Sequence, residues 1–277
     1  MTILEAWEWY EKDKKMLKYS PHTLKAYKIQ IRLLSEAISN KDINEVKYEE
    51  LKGYLYTQEH LKASSLGHRI RFIRSFFRWA VDEGHIDKNP AARLREPQNG
   101  KRIPKFLNEE ETETLIATCE TAREYAIILF MYTTGCRIGE MVKLNIRDID
   151  WDNGSVIVNG KGNVDREVYF NMKCKIWLKK YVESRNDKDE ALFVTERSPH
   201  RLSIAQMRCI MKGVAERAGL KNVYPHRLRH SYGTHLLNAG APMEAIRQLM
   251  GHAKASTTAL YAELSGEKRK EFYKKYF

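Results

Sequence analysis

Residues 225–230 read Pro225-His226-Arg227-Leu228-Arg229-His230 and run on through Ser231, Tyr232, Gly233, Thr234 and His235 into Leu236 and Leu237. A proline in the first turn and an apolar pair further on predict a helix that opens on this cluster. His226 and Arg229 lie three residues apart, hence on one helical face, where both can address a single phosphate. His226 and His230 also have the i, i+4 spacing of a helical zinc pair. No carboxylate or cysteine stands beside them as a third ligand, and two arginines repel a cation. The segment therefore reads as an anion site rather than a metal site.

Three other segments carry unusual chemistry. Thr134-Gly135-Cys136-Arg137-Ile138-Gly139-Glu140 closes a strongly apolar stretch, residues 126–133, that predicts a buried helix. An arginine beside an apolar core is costly unless it meets an anion. Lys161 sits in Asn159-Gly160-Lys161-Gly162-Asn163, between β-rich runs at 155–158 and 166–170, and that pattern predicts a hairpin turn. Its glycines let the backbone approach a ligand closely. Leu249-Met250-Gly251-His252 is followed by Tyr261 in Thr257-Thr258-Ala259-Leu260-Tyr261. Taken singly, each has an ordinary explanation: a turn arginine, an exposed lysine, a packed tyrosine.

The rest of the chain supplies the frame. Ser20-Pro21 ahead of residues 23–38 is a cap followed by a first-turn proline. Ser64 or Ser65 opens a further helix with Leu66, Ile70, Ile73, Phe77 and Ala80 at helical spacing. Arg71, Arg74 and Arg78 line its neighbouring face with no acid before Asp82, which suits phosphate contact better than a merely solvated face. From Lys88 the texture changes: Asn89-Pro90, Pro97-Gln98-Asn99-Gly100 and Pro104 break any helix. Arg93, Arg95, Lys101, Arg102 and Lys105 crowd the same stretch, which reads as an extended basic linker. Asn108 with Glu111 then forms a capping-box signal before residues 112–119, and beyond Lys173 the pattern is helical to the end. The expected class is mainly α with a small β-sheet in the second domain (α+β). The expected domains are a helical one over 1–98, a linker over 99–104 and a second domain over 105–277.

Composition agrees with a polyanionic partner. The 277 residues include 48 Lys and Arg against 36 Asp and Glu, a formal net charge of +12, and cations that neutralise phosphates release condensed counterions. Cys119, Cys136, Cys174 and Cys209 show no C-x-x-C pairing and fit reduced thiols. The N-terminus has no signal-peptide core, and the longest apolar run, residues 126–132, falls far short of the roughly 20 residues of a membrane helix. A cytoplasmic protein with no membrane partner is expected.

In order and context these segments resemble the catalytic domain of the tyrosine recombinases, the integrase and Xer family. There an arginine follows a T-G-x-R-I-x-E motif, a lysine sits on a hairpin turn, and H-x-L-R-H precedes L-G-H and the tyrosine. The match here is Arg137, Lys161, His226, Arg229, His252 and Tyr261, with Met250 in place of the usual leucine. The family's N-terminal S-x-x-T-x-x-x-Y pattern appears as Ser20, Thr23 and Tyr27, and Asn89-Pro90 also fits. The resemblance implies a SAM-like core-binding domain and a catalytic domain that together clamp double-stranded DNA. It implies Tyr261 as nucleophile through a 3′-phosphotyrosyl link and a Holliday junction, Glu140 as a supporting residue, and no metal or other cofactor. Arg71, Arg74, Arg78, Lys101, Arg102 and Lys105 would then touch DNA.

The lack of an extra N-terminal arm-binding domain favours Xer-like resolution of chromosome or plasmid dimers, with a mobile-element integrase or a type IB topoisomerase as alternatives. The aromatic tail Phe272-Tyr273-Lys274-Lys275-Tyr276-Phe277 suggests a tetramer on paired sites with tails exchanged in trans, and an accessory activator is a further expected partner. Cys136, beside Arg137, is a candidate for oxidation that would displace the arginine.

Overall fold

A computed structural model describes residues 1–98, 105–160 and 165–251. The chain divides into two compact units, Met1–Lys101 and Arg102–Phe277.

The first unit is helical because polar caps start its helices and aromatic faces bury them. Thr2 and Glu5 form a capping box at α1 (Ile3–Met16), and Ser20 accepts from the Thr23 N–H ahead of α2 (Pro21–Ala37). α3 (Tyr48–Tyr56) and α4 (Ala63–Asp82) complete the set. α4 begins ahead of the serines expected to cap it. Lys62 precedes it with no side-chain cap bond, and burial of Ile70, Phe72, Ile73, Phe76, Phe77 and Trp79 fixes the helix instead. Tyr10 of α1 anchors that core, edge-on to Phe76 at 5.5 Å and to Trp79 at 5.2 Å.

The expected extended linker does not begin at Lys88. Asn89 Oδ1 accepts from the Ala91 N–H at 2.8 Å, a local turn, and Ala91 and Leu94 are buried in the first unit's core. Arg93 lies 4.8 Å over the Tyr48 ring and Glu96 binds Arg71, so this stretch is a cover on the helices rather than a spacer.

In the second unit the Asn108 and Glu111 capping box opens α5 (Glu109–Ala117). α6 (Ala122–Thr134) follows; its residues 126–131 are at most 1% exposed, as an all-apolar helix requires. It packs against α8 (Met172–Glu183), α9 (Ile204–Arg217) and α10 (Pro225–Asn238). The short α7 (Ile138–Met141) leads to an antiparallel sheet in the order β1 (Ile149–Asp150), β2 (Ser155–Asn159), β3 (Asp165–Tyr169). α11 (Met243–Met250) packs on α10 and β3.

Two further features differ from the sequence reading. β1 escapes it because two residues cannot display an alternation. The stretch between α8 and α9 is not helical: Asn145 bridges Ala191 and Val194 bridges Arg201 as isolated antiparallel pairs. Arg185 is bonded there to Asp187 and to the Ala191 and Asp189 carbonyls, which fixes an irregular turn. Among the described residues no helix is long and apolar enough to cross a membrane.

Candidate functional site

Two helices end side by side in the second unit, and both end on a left-handed glycine. Gly135 (φ 58°) terminates α6 and Gly251 (φ 60°) terminates α11. The outward carbonyls at such ends carry partial negative charge and attract cations. Arg229 of α10, only 4% exposed, donates one Nη to the Gly135 carbonyl and the other to the Met250 carbonyl. Arg137, half-buried just before α7, donates Nη2 to the next carbonyl along, that of Gly251, at 3.2 Å. Two guanidiniums from distant segments thus converge on adjacent peptide carbonyls. Both glycines are needed for space: a Cβ on Gly135 would lie 2.3 Å from the Tyr232 ring, and one on Gly251 2.7 Å from Arg166 Cδ.

Behind Arg137 lies Glu140, 6% exposed, at the third position of α7. Its Oε2 accepts from the Arg137 backbone N–H at 2.7 Å and its Oε1 from Arg137 Nη1 at 2.8 Å. The same carboxylate accepts two further bonds from Arg166, Nη1 at 3.0 Å and Nη2 at 2.7 Å. Burial would push the carboxyl up, but the bonds from Arg166 and Arg137 outweigh it and hold it at about 2. Arg166 Nε also reaches the Leu249 carbonyl at 3.3 Å. Sequence reading passed over Arg166, although a signal existed: β3 pairs Val168 with Val156 and Arg166 with Val158, so alternation places Arg166 on the core-facing side. A cation on that face requires an acid.

Helix α10 presents the histidines at the same corner. His226 is exposed at its first turn. Its pKa is lowered, first by desolvation of the ring and then by Arg229, Arg137 and Arg208, so the neutral form is favoured. His230 is also lowered, by burial, His226 and Arg229. Arg227 belongs to other business. It donates to the Lys221 carbonyl at 2.7 Å, the Phe106 carbonyl at 3.1 Å and the Glu111 carboxylate at 3.3 Å, on a face shared with Ser231 and His235. Cys136 is buried and its thiol is pushed up to about 11, which removes the thiolate an oxidant needs.

The remaining expected residues divide cleanly. On α4, Arg71 is bonded to Glu96 at 2.6 Å and Arg78 lies 3.9 Å from Asp82. Arg74 borders an open cavity of about 980 Å³ with Tyr48, Lys52, Tyr56, Arg93 and Arg95. Lys105 is exposed. Lys101, Arg102, Lys161, His252 and Tyr261 lie outside the described residues. Among the described residues no group of three or more His, Cys, Asp or Glu could hold a metal ion.

Comparison with known proteins extends over both units. Residues 105–268 match the Phage integrase family and residues 8–84 match the Phage integrase N-terminal SAM-like domain. The tyrosine recombinase XerC of Oceanobacillus iheyensis is 33% identical over 276 residues, covering 92% of this chain and 90% of its own. The crystal structure of XerA recombinase superposes with a TM-score of 0.58 at 26% identity, covering 99% of this chain and 98% of that one. A lambda integrase (75–356) dimer bound to a COC′ core site shares the fold, with a TM-score of 0.80 at 20% identity over 96% of this chain and 97% of that one.

Proposed function

The chain belongs to the phage integrase family, and on that premise we propose how its arginine-lined corner works. It is a site-specific tyrosine recombinase, an enzyme that cuts and rejoins DNA. The observation that carries the reading of its site is the convergence of Arg137 and Arg229 on neighbouring carbonyls, with His226 within the influence of both. Among the described residues, Glu140 is the carboxylate bonded at this corner, and Arg166 shares it. Such a place favours a phosphate that gains charge.

Attack on a phosphodiester needs that charge stabilised and the departing alkoxide protonated. The positive charge of Arg137 and Arg229 favours the more highly charged pentacoordinate state over the ground state. His226 and His252 add hydrogen bonds. Tyr261 Oη gives its proton to a neutral imidazole, that of His226, and forms the new bond to phosphorus while the bond to the 5′ oxygen breaks, and Lys161 gives that oxygen a proton. The phosphotyrosyl ester conserves the bond energy, so religation by a 5′ hydroxyl needs no nucleotide. Glu140 holds Arg137 in place.

For the whole molecule, the reading is a helical domain over 1–98 and a catalytic domain over 105–277 gripping duplex DNA, joined by the basic segment 99–104. Arg71, Arg74, Arg78, Lys101, Arg102 and Lys105 would contact phosphates. A tetramer on paired sites, with C-terminal tails exchanged in trans, fits the aromatic tail, and an accessory activator fits the same scheme. Resolution of chromosome or plasmid dimers is the cellular role that we propose; similarity to a tyrosine recombinase named XerC, matched over 90% of its length, supports the Xer-like part of that reading.

The test is adduct formation on a nicked suicide duplex, resolved on a denaturing gel. Wild type should yield a covalent protein–DNA adduct that survives chelator, and Tyr261→Phe should yield none. An adduct that persists in the variant would remove Tyr261 as the nucleophile.

A further inference from the structure

We propose that Arg166 is a positioning residue for cleavage, holding Glu140 and hence Arg137 while fastening β3 to the end of α11. The proposal rests on the reading of Arg137 as a phosphate-binding group. Arg166 stands on the core-facing side of β3, opposite Val158, with a side chain 11% exposed. Its three nitrogens are divided between two partners. Nη1 and Nη2 engage the two oxygens of Glu140 at 3.0 and 2.7 Å, and Nε meets the Leu249 carbonyl at 3.3 Å. Glu140 in turn fixes both the backbone and the guanidinium of Arg137.

The contact with α11 is also steric. Arg166 Cδ, Nε and Cζ lie 2.7 to 3.0 Å from where a Cβ on Gly251 would stand, so the side chain occupies the space beside the glycine whose carbonyl accepts from Arg137. Three segments therefore meet on one side chain: the strand β3, the short helix α7, and the end of α11. Only a planar, five-donor group can serve the carboxylate with two nitrogens and a carbonyl with a third. A lysine at this place keeps the charge and loses the geometry.

The test uses the full chain and a nicked duplex whose core sequence is selected from random DNA by binding to wild type. Single-turnover adduct formation and duplex affinity are measured for Arg166→Gln, Arg166→Lys, Glu140→Gln, the Arg166→Gln/Glu140→Gln double variant and Arg137→Ala. A misplaced Arg137 should slow cleavage by Arg166→Gln about 10- to 100-fold at little cost in duplex affinity. The double variant should be no slower than the slower single variant, because both act through one guanidinium. Arg166→Lys should fold and remain slow, which keeps the test decisive if Arg166→Gln does not fold. Cleavage at the wild-type rate by a folded Arg166 variant, or defects that multiply in the double variant, would overturn the proposal. Wild-type cleavage by Arg137→Ala would instead overturn the reading of the site on which it stands.

Discussion

Replacing Glu140 with Gln tests the electrostatic frame of the site. The carboxylate is held at about 2, against an ordinary value of 4.5, because the bonds from Arg166 and Arg137 outweigh its burial. At about 1.4 kcal/mol per pKa unit, that difference corresponds to roughly 3 kcal/mol of stability at neutral pH. Removing one partner of a buried ion pair leads to a similar figure, about 3–5 kcal/mol, since Arg166 is left buried without its acid. For a unit of this size the loss lowers the melting temperature by roughly 6–20 °C.

The sign with pH is fixed. The folded pKa is depressed, so the contribution is complete above about 4.5 and is lost as pH falls toward 2. Urea unfolding of wild type and Glu140→Gln at pH 7.5 and pH 3 is the assay. The stability gap should be roughly 3 kcal/mol at the higher pH and less than half of that at the lower. A gap below about 1 kcal/mol at pH 7.5, or one that does not shrink in acid, would refute the reasoning.

Three further outcomes are expected. Gly135→Ala forces a Cβ into a left-handed position 2.3 Å from the Tyr232 ring, and denaturant unfolding should show a loss. Backbone strain and overpacking together put that loss at about 2–5 kcal/mol; a neutral result would mean the α6 end can relax away from α10. His226 is held below its ordinary value by desolvation and by Arg229, Arg137 and Arg208, and a bound phosphate offsets those charges. Duplex binding should therefore take up a proton: affinity should rise as pH falls through the imidazole range below about 6.5, and His226→Gln should flatten that slope. Among the thiols, Cys119, Cys136 and Cys174 are buried and Cys209 is exposed, so a thiol reagent should label native protein rapidly only at Cys209. Peroxide should then leave cleavage by Cys209→Ser unchanged, and inactivation of that variant would return Cys136 to consideration.

What could be read from the sequence was what is local. The capping box at Asn108 and Glu111, the buried helix after it and the hairpin runs each follow from spacing within a short window. Arg137 and Arg229 stood out because a charged group beside apolar residues is anomalous in any fold. Arg166 did not, because its role depends on Glu140 and Leu249, which only tertiary structure brings to it. Its position on the buried side of an alternating strand was the one local sign. The segment between α8 and α9 failed in the same way: single bridges to distant residues and the bonds of Arg185 determine its path, and none leaves a periodic trace. At Lys88 the reverse error occurred. Proline and charge suggested a spacer, while two buried apolar residues, Ala91 and Leu94, help seat the stretch on the first unit.

The face of α10 opposite Arg229 is bonded to the start of the second unit. Leu107 is wholly buried, so both its backbone groups need partners, and α10 supplies them: Ser231 Oγ accepts from its N–H at 2.7 Å and His235 Nε2 meets its carbonyl at 2.9 Å. His235 must then carry its proton on Nε2, which leaves Nδ1 to accept from the Tyr132 hydroxyl at 2.7 Å. Its lowered pKa, caused by burial, keeps that tautomer available at neutral pH. Arg227 completes the row by binding the Phe106 carbonyl. Residues 227, 231 and 235 recur every fourth position and grip the start of the second unit, while Arg229, between them, faces the ends of α6 and α11. Whatever path the basic segment before Phe106 takes, it leaves from a point fixed on the helix that positions Arg229.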